Sequence, residues 1–267
     1  MTADAPIGIF DSGLGGLTVA HEIIRQLPNE SFVYFGDTAR VPYGPKSPET
    51  VRRYSREITG FLLEQGVKAI VVACNTATAH ALPMLREELP VPVVGVIEPG
   101  ARAAVSASRT GHIGVIGTVG TIRSGAYERA IRELDPDVVI TARPCPLFVP
   151  LVEEGYTERP AARLIARDYL QPLRDAGIDS LVLGCTHYPL LKPLLSSVVG
   201  PDVRLIDSAE ETAAETRRML EERRLATDVC DGARHRFVAS DDSRQFLELG
   251  QRFLGDVIDR VEIRTLG

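Results

Sequence analysis

Short runs of apolar and β-branched residues recur along this chain, each parted from the next by a stretch long enough for a helix, and this alternation constrains the fold most. The runs cover 7–10, 31–36, 69–73, 113–117, 138–141, 180–184 and 203–206, with helix-length segments such as 48–65, 76–88, 161–175 and 208–224 between them. Strands that read as continuous apolar runs are buried on both faces, and strands alternating with helices form βαβ units. The predicted class is α/β, with parallel sheets covered by helices. A chain of 267 residues, 44% hydrophobic and 25% charged, has the length for two such lobes and the core material to pack them.

The alternation contains a weak internal repeat. Gly66-Val-Lys-Ala-Ile-Val-Val-Ala-Cys74 lines up with Gly177-Ile-Asp-Ser-Leu-Val-Leu-Gly-Cys185. Each cysteine is followed by hydrogen-bonding residues, a helix holding a proline (Pro83 or Pro193), and a further strand ending in an acid, Ile97-Glu98 or Ile206-Asp207. Upstream, 7–12 resembles 113–118. Matches in the same order at nearly the same offset mark a duplicated unit and not a solenoid, whose period is about 20 to 50 residues. The predicted lobes are 1–97 plus 208–267, carrying Cys74, and 98–207, carrying Cys185. Ligands of open parallel sheets sit beyond the carboxyl ends of the strands, so a pseudo-twofold relation would bring the two thiols to opposite sides of one cleft.

Inverting a stereocentre by proton transfer needs a base on one face of the carbon and an acid on the other. A cysteine titrates near ~8.5 and is lowered by a cation or a helix N-terminus, so one thiolate and one thiol can fill these roles and exchange them at each turnover. Cys74, Cys145, Cys185 and Cys230 lack CxxC or Cys/His ligand spacing, which argues against a zinc site or a disulfide framework. Pyridoxal phosphate would need a Schiff-base lysine, and Lys46, Lys68 and Lys192 have no evident phosphate-binding context. No cofactor is implied. With 30 Lys plus Arg against 36 Asp plus Glu, there is no basic field for nucleic acid. No apolar run is long enough to cross a bilayer, and the start of the chain lacks a signal-peptide pattern; a cytoplasmic protein is expected.

Five segments carry a resemblance: Ile7-Gly-Ile-Phe-Asp-Ser-Gly-Leu-Gly-Gly-Leu-Thr-Val19, Asp37-Thr-Ala-Arg-Val-Pro-Tyr-Gly44, Ala73-Cys-Asn-Thr-Ala77, Pro146-Leu-Phe-Val-Pro-Leu-Val-Glu-Glu-Gly155 and Gly184-Cys-Thr-His-Tyr-Pro-Leu-Leu191. In this order they resemble the glutamate racemases of the cofactor-independent aspartate/glutamate racemase family. The resemblance implies that Cys74 and Cys185 donate and accept the proton, that Asp11, Ser12, Tyr43, Gly44, Asn75, Thr76, Thr186 and His187 contact substrate or assist the thiols, and that Glu153 is an auxiliary acid. It further implies glutamate as substrate, D-glutamate for peptidoglycan as product, and a homodimer as one assembly to consider.

Each residue also has a plainer reading. A lone cysteine after a strand is usually a small buried apolar residue, the role assigned to Cys145 and Cys230. Asp11-Ser12 before Gly13, Gly15 and Gly16 could be only a capped strand-to-helix turn. His187 could be a structural hydrogen-bonding histidine, and Glu153 and Glu154 solvated loop acids. The acidic and basic stretch 210–224 reads as an exposed helix face with i,i+4 pairs. A two-cysteine racemase or isomerase of aspartate or a hydantoin, a cysteine-nucleophile hydrolase, and a non-catalytic role restraining a larger partner stand as alternatives. Residues 225–267 predict only a final strand and helix.

Overall fold

A computed structural model describes residues 2–229 and 232–266. The described strands are β1 (Ile7–Asp11), β2 (Phe32–Gly36), β3 (Ala69–Val72), β4 (Val93–Gly95), β5 (His112–Gly117), β6 (Val139–Pro144), β7 (Ser180–Gly184), β8 (Arg204–Asp207), β9 (His235–Ala239) and β10 (Glu262–Ile263). The helices are α1 (Leu17–Gln26), α2 (Pro48–Glu64), α3 (Asn75–Glu88), α4 (Ile97–Ala107), α5 (Val119–Arg123), α6 (Ala126–Leu134), α7 (Phe148–Glu153), α8 (Pro160–Asp175), α9 (Lys192–Val199), α10 (Ser208–Glu222) and α11 (Ser243–Leu254). None is long and apolar enough to cross a membrane, among the described residues.

Two parallel sheets result, ordered β10-β9-β2-β1-β3-β4 and β6-β5-β7-β8. The order β2-β1-β3-β4 repeats as β6-β5-β7-β8, so the paired segments of the sequence repeat occupy equivalent strands. β1 answers to β5 and β3 to β7. The C-terminal strands β9 and β10 extend the first sheet beyond β2, with Tyr34 opposite Phe237 in register.

Alternate side chains of the apolar strands serve different cores. Ile7, Ile9, Tyr34 and Val71 of the first sheet join Ile113, Val115 and Val182 of the second in one cluster with α1, α4 and α10. The opposite face of the first sheet, with Phe10, Phe35, Ile70 and Val72, packs on α2 and α3; that of the second, with Ile116, Leu181 and Leu183, packs on α8 and α9. Each such fully buried aliphatic side chain contributes about 1.5–3 kcal/mol, which is why the runs read as continuous. Helix starts follow local chemistry: Ser47 caps α2 ahead of Pro48, and Asp207 caps α10 through its Oδ1, which accepts from Ala209 N at 2.9 Å.

Two expectations need correction. Ile97-Glu98 does not end a strand: β4 stops at Gly95, and Ile97 opens α4. Ile97, Ala101 and Ala104 are buried on one helical face, a spacing that outweighs the β-branched character of Ile97. Among the described residues, the ion pairs of α10 are Glu215 with Arg218, three residues apart, Glu215 with Arg102 of α4, and Glu210 with Arg25 of α1, so the helix is tied to its neighbours and not only to itself. Cys145 is buried after β6, as expected; Cys230 lies outside the described residues.

Candidate active site

The carboxyl ends of β1, β3, β5 and β7 converge, and the chemistry-bearing residues stand on the loops that leave them. Cys74 leaves β3 as the N-cap of α3, its sulfur accepting from Ala77 N at 3.4 Å and lying 3.6 Å from Ser12 Oγ. A helix N-terminus favours a thiolate, but burial and the nearby Asp11 carboxylate win, and the Cys74 thiol is pushed up to about 12. Asp11, fully buried at the end of β1, accepts from Gly13 N at 2.9 Å and from Thr186 Oγ1 at 3.4 Å. Burial raises its carboxyl, while the charge of His187 and the amides of Gly13, Gly16 and Ser12 oppose that rise.

Cys185 leaves β7 in a different setting. The chain enters a short 3-10 turn, Tyr188–Leu191, before α9, so Cys185 has no counterpart of the α3 amide. Its sulfur instead lies 3.8 Å from His187 Nδ1, and His187 Nε2 lies 3.1 Å from Glu153 Oε1 at the end of α7. Burial favours neutral imidazole, yet the hydrogen bonds to Cys185 and Glu153 prevail and raise His187 to about 10. The glycine loop after β1 packs directly on this group: a Cβ at Gly15 would fall 2.3 Å from Thr186 Oγ1 and 2.5 Å from His187 Nδ1. Here glycine is required by close approach.

Both thiols line one narrow cleft, together with Ser12, Tyr43, Gly44, Asn75, Thr76, Thr186 and His187. Asp11 stands behind Cys74 and the Thr186 hydroxyl, and Glu153 stands behind His187. The Tyr43 hydroxyl is already committed to Asp37, which also takes Arg40 and the Ser240 hydroxyl; Tyr43 therefore offers the cleft its ring and backbone. Gly44 O accepts from Gly120 N at 2.9 Å, joining the loop after β2 to α5.

Thr118 also lines the cleft, though no sequence motif singles it out. Its hydroxyl lies 2.9 Å from that of Thr76, and a signal for it exists, since Thr118 is the counterpart of Ser12 in the repeat. Ser240 and Tyr127 also escape sequence reasoning, and no local motif marks them. Among the described residues, no group of three or more His, Cys, Asp or Glu is placed to hold a metal ion. Lys68 pairs with Glu30 at 2.5 Å and Lys192 with Asp207 at 2.7 Å, so both ammonium groups are engaged in ion pairs.

The structure thus has two α/β halves of equal strand order, each with a cysteine lining a shared cleft. The chain belongs to the Asp/Glu/Hydantoin racemase family, whose model matches residues 7–216. Within that family it groups with the glutamate racemases. The enzyme of that name from Geobacter metallireducens is 57% identical over 93% of this chain and 92% of its own. The crystal structure of a glutamate racemase isoform from Bacillus anthracis superposes with a TM-score of 0.93 at 44% identity, covering 98% of this chain and 97% of that one. A glutamate racemase from Francisella tularensis, in complex with D-glutamate, gives 0.92 at 37% identity, with 98% of both chains covered.

Proposed function

We propose that the chain interconverts L- and D-glutamate by moving one proton between each thiol and the α-carbon. The observation that carries this reading is the pair of buried thiols on loops from equivalent strands, lining one cleft with different partners. A thiolate at one cysteine takes the α-proton, forming S–H as C–H breaks; the opposite thiol gives its proton to the other face, forming C–H and leaving a thiolate. His187, kept as imidazolium against burial by its hydrogen bonds to Cys185 and Glu153, places positive charge beside the Cys185 sulfur. Cys74, pushed up to about 12, is a thiol at neutral pH. A turnover in which Cys185 takes the α-proton and Cys74 gives one exchanges the roles of the two sulfurs, and the next turnover restores them. The thiolate then left at Cys74 is held by Ala77 N and the Ser12 hydroxyl against the repulsion of the nearby Asp11 carboxylate.

Asn75, Thr76, Thr186, Ser12 and the Tyr43-Gly44 backbone are the proposed contacts to the substrate's carboxylates and ammonium. Desolvation in so tight a cleft strengthens those contacts and the stabilisation of the carbanion. In a bacterial cytoplasm the product would supply peptidoglycan. The test is incubation of purified protein with L-glutamate in deuterium oxide, following optical rotation and α-deuterium: loss of rotation with one deuterium per inverted molecule is expected, and retained rotation would overturn the reading. Aspartate and hydantoin substrates run in parallel should turn over far more slowly.

A further inference from the structure

Asn75 begins α3 beside Cys74, and its side chain is 2% exposed. Its Oδ1 accepts a hydrogen bond of 2.7 Å from the Tyr127 hydroxyl, whereas its Nδ2 is buried with no hydrogen-bond partner among the described residues. An amide with one satisfied edge and one orphaned donor, on a residue lining the cleft, is half of a binding interaction. What decides which edge faces the ligand is the phenol on the other side. Tyr127 belongs to α6, in the half of the molecule that carries Cys185, and is itself 2% exposed.

The Tyr127 hydroxyl gives its proton to Asn75 Oδ1, and Ser208, the first residue of α10, stands beside it. The ring is clamped as well: a Cβ on Gly184 would come within 3.0 Å of Tyr127 Cε2, and one on Gly100 within 3.4 Å of its hydroxyl. The phenol donates to the amide oxygen, and the amide N–H₂ is turned away from the phenol. Flipping the amide would set Nδ2 against the phenol and present a carbonyl oxygen to the ligand, which repels an anion.

We propose that Tyr127 is a positioning residue for substrate: it locks the Asn75 amide with its donor edge toward a carboxylate of the bound amino acid. The inference rests on the reading of Asn75 as a substrate contact. Because the amide meets a group that is anionic in the ground state as well as in the transition state, the interaction acts chiefly on KM, with a smaller effect on kcat.

The test is a double-mutant cycle on Tyr127→Phe and Asn75→Ala, read as KM and kcat in both directions, with thermal melting as a check on folding. Tyr127→Phe should raise KM about tenfold in each direction, the loss for an unmade buried hydrogen bond, with kcat within about threefold of wild type. In the Asn75→Ala background the same change should leave KM unaltered. An equal rise in both backgrounds, or no rise in either, would overturn the inference while leaving Asn75 as a contact. No effect of Asn75→Ala itself would overturn the parent reading of that residue, and this one with it. Should Tyr127→Phe not fold, Ser208→Ala carries the same test: a rise in KM of about twofold, absent in the Asn75→Ala background, is expected, and a rise that persists there contradicts it.

Discussion

At the residue scale, the two thiols differ more than their repeat suggests. Cys74 has a helix amide and a buried carboxylate for neighbours; Cys185 has a histidine held charged by a glutamate. Asp11→Asn and His187→Asn should therefore lower kcat by about 10²-fold, the range of a lost charge or acid–base partner, with smaller effects on KM. Since racemisation has an equilibrium constant of one, kcat/KM must fall equally in both directions, so any difference between the directions is read in kcat alone. Steady-state kinetics from each enantiomer decides this, and wild-type kcat in both variants would reduce these residues to ligand contacts. The same histidine gives a stability signature. Its folded pKa of about 10 stands above the ordinary 6.5, so its contribution is complete below pH 6.5 and is lost as pH rises through 10. Between those limits the melting temperature of wild type should fall toward that of His187→Gln, and parallel profiles would contradict a charged His187.

At the element scale, the strands and their ends are legible in the sequence because buried parallel strands need continuous apolar runs and because ligand-binding loops follow their carboxyl ends. Ile97 misleads because a β-branched residue after Val93 and Val94 looks like more strand, and only the spacing to Ala101 and Ala104 reveals the helix. Tyr127 and Ser240 are not legible as site supports because their partners lie on distant elements and no local period records such a contact. Glycine at Gly15 and Gly60 makes the element-scale prediction. Gly15→Ala would drive a methyl group into Thr186 and His187, and kcat/KM should drop at least about 10²-fold, as for a small misplacement of reacting groups. Gly60 lies inside α2, where an added Cβ would meet nothing within 4 Å, so Gly60→Ala should stabilise by about 0.5–1 kcal/mol and leave activity intact. Denaturant melts and assays on the pair check both, and the reverse ranking would refute the close-approach argument.

At the scale of the whole molecule, a shared core of α1, α4 and α10 joins two sheets of matching order, while the far end of the first sheet is closed by the buried Lys68–Glu30 pair. Glu30 also accepts from Thr227 N at 2.9 Å, tying in the C-terminal segment. Lys68→Met leaves an unpaired buried carboxylate and should cost about 3–5 kcal/mol, whereas Lys68→Met with Glu30→Leu should recover most of it; kcat should be unchanged in both. The central claim is that this architecture sets one sulfur on each face of the α-carbon. Either cysteine replaced by serine should abolish racemisation, since an alkoxide is unavailable at neutral pH, yet the remaining thiol should still act on its own face. The direct measurement is elimination of hydrogen chloride from the two enantiomers of a β-chlorinated glutamate analogue, which needs one base to take the α-proton as chloride leaves. Cys74→Ser and Cys185→Ser should prefer opposite enantiomers; equal preference, or full racemase activity in either variant, would contradict the account.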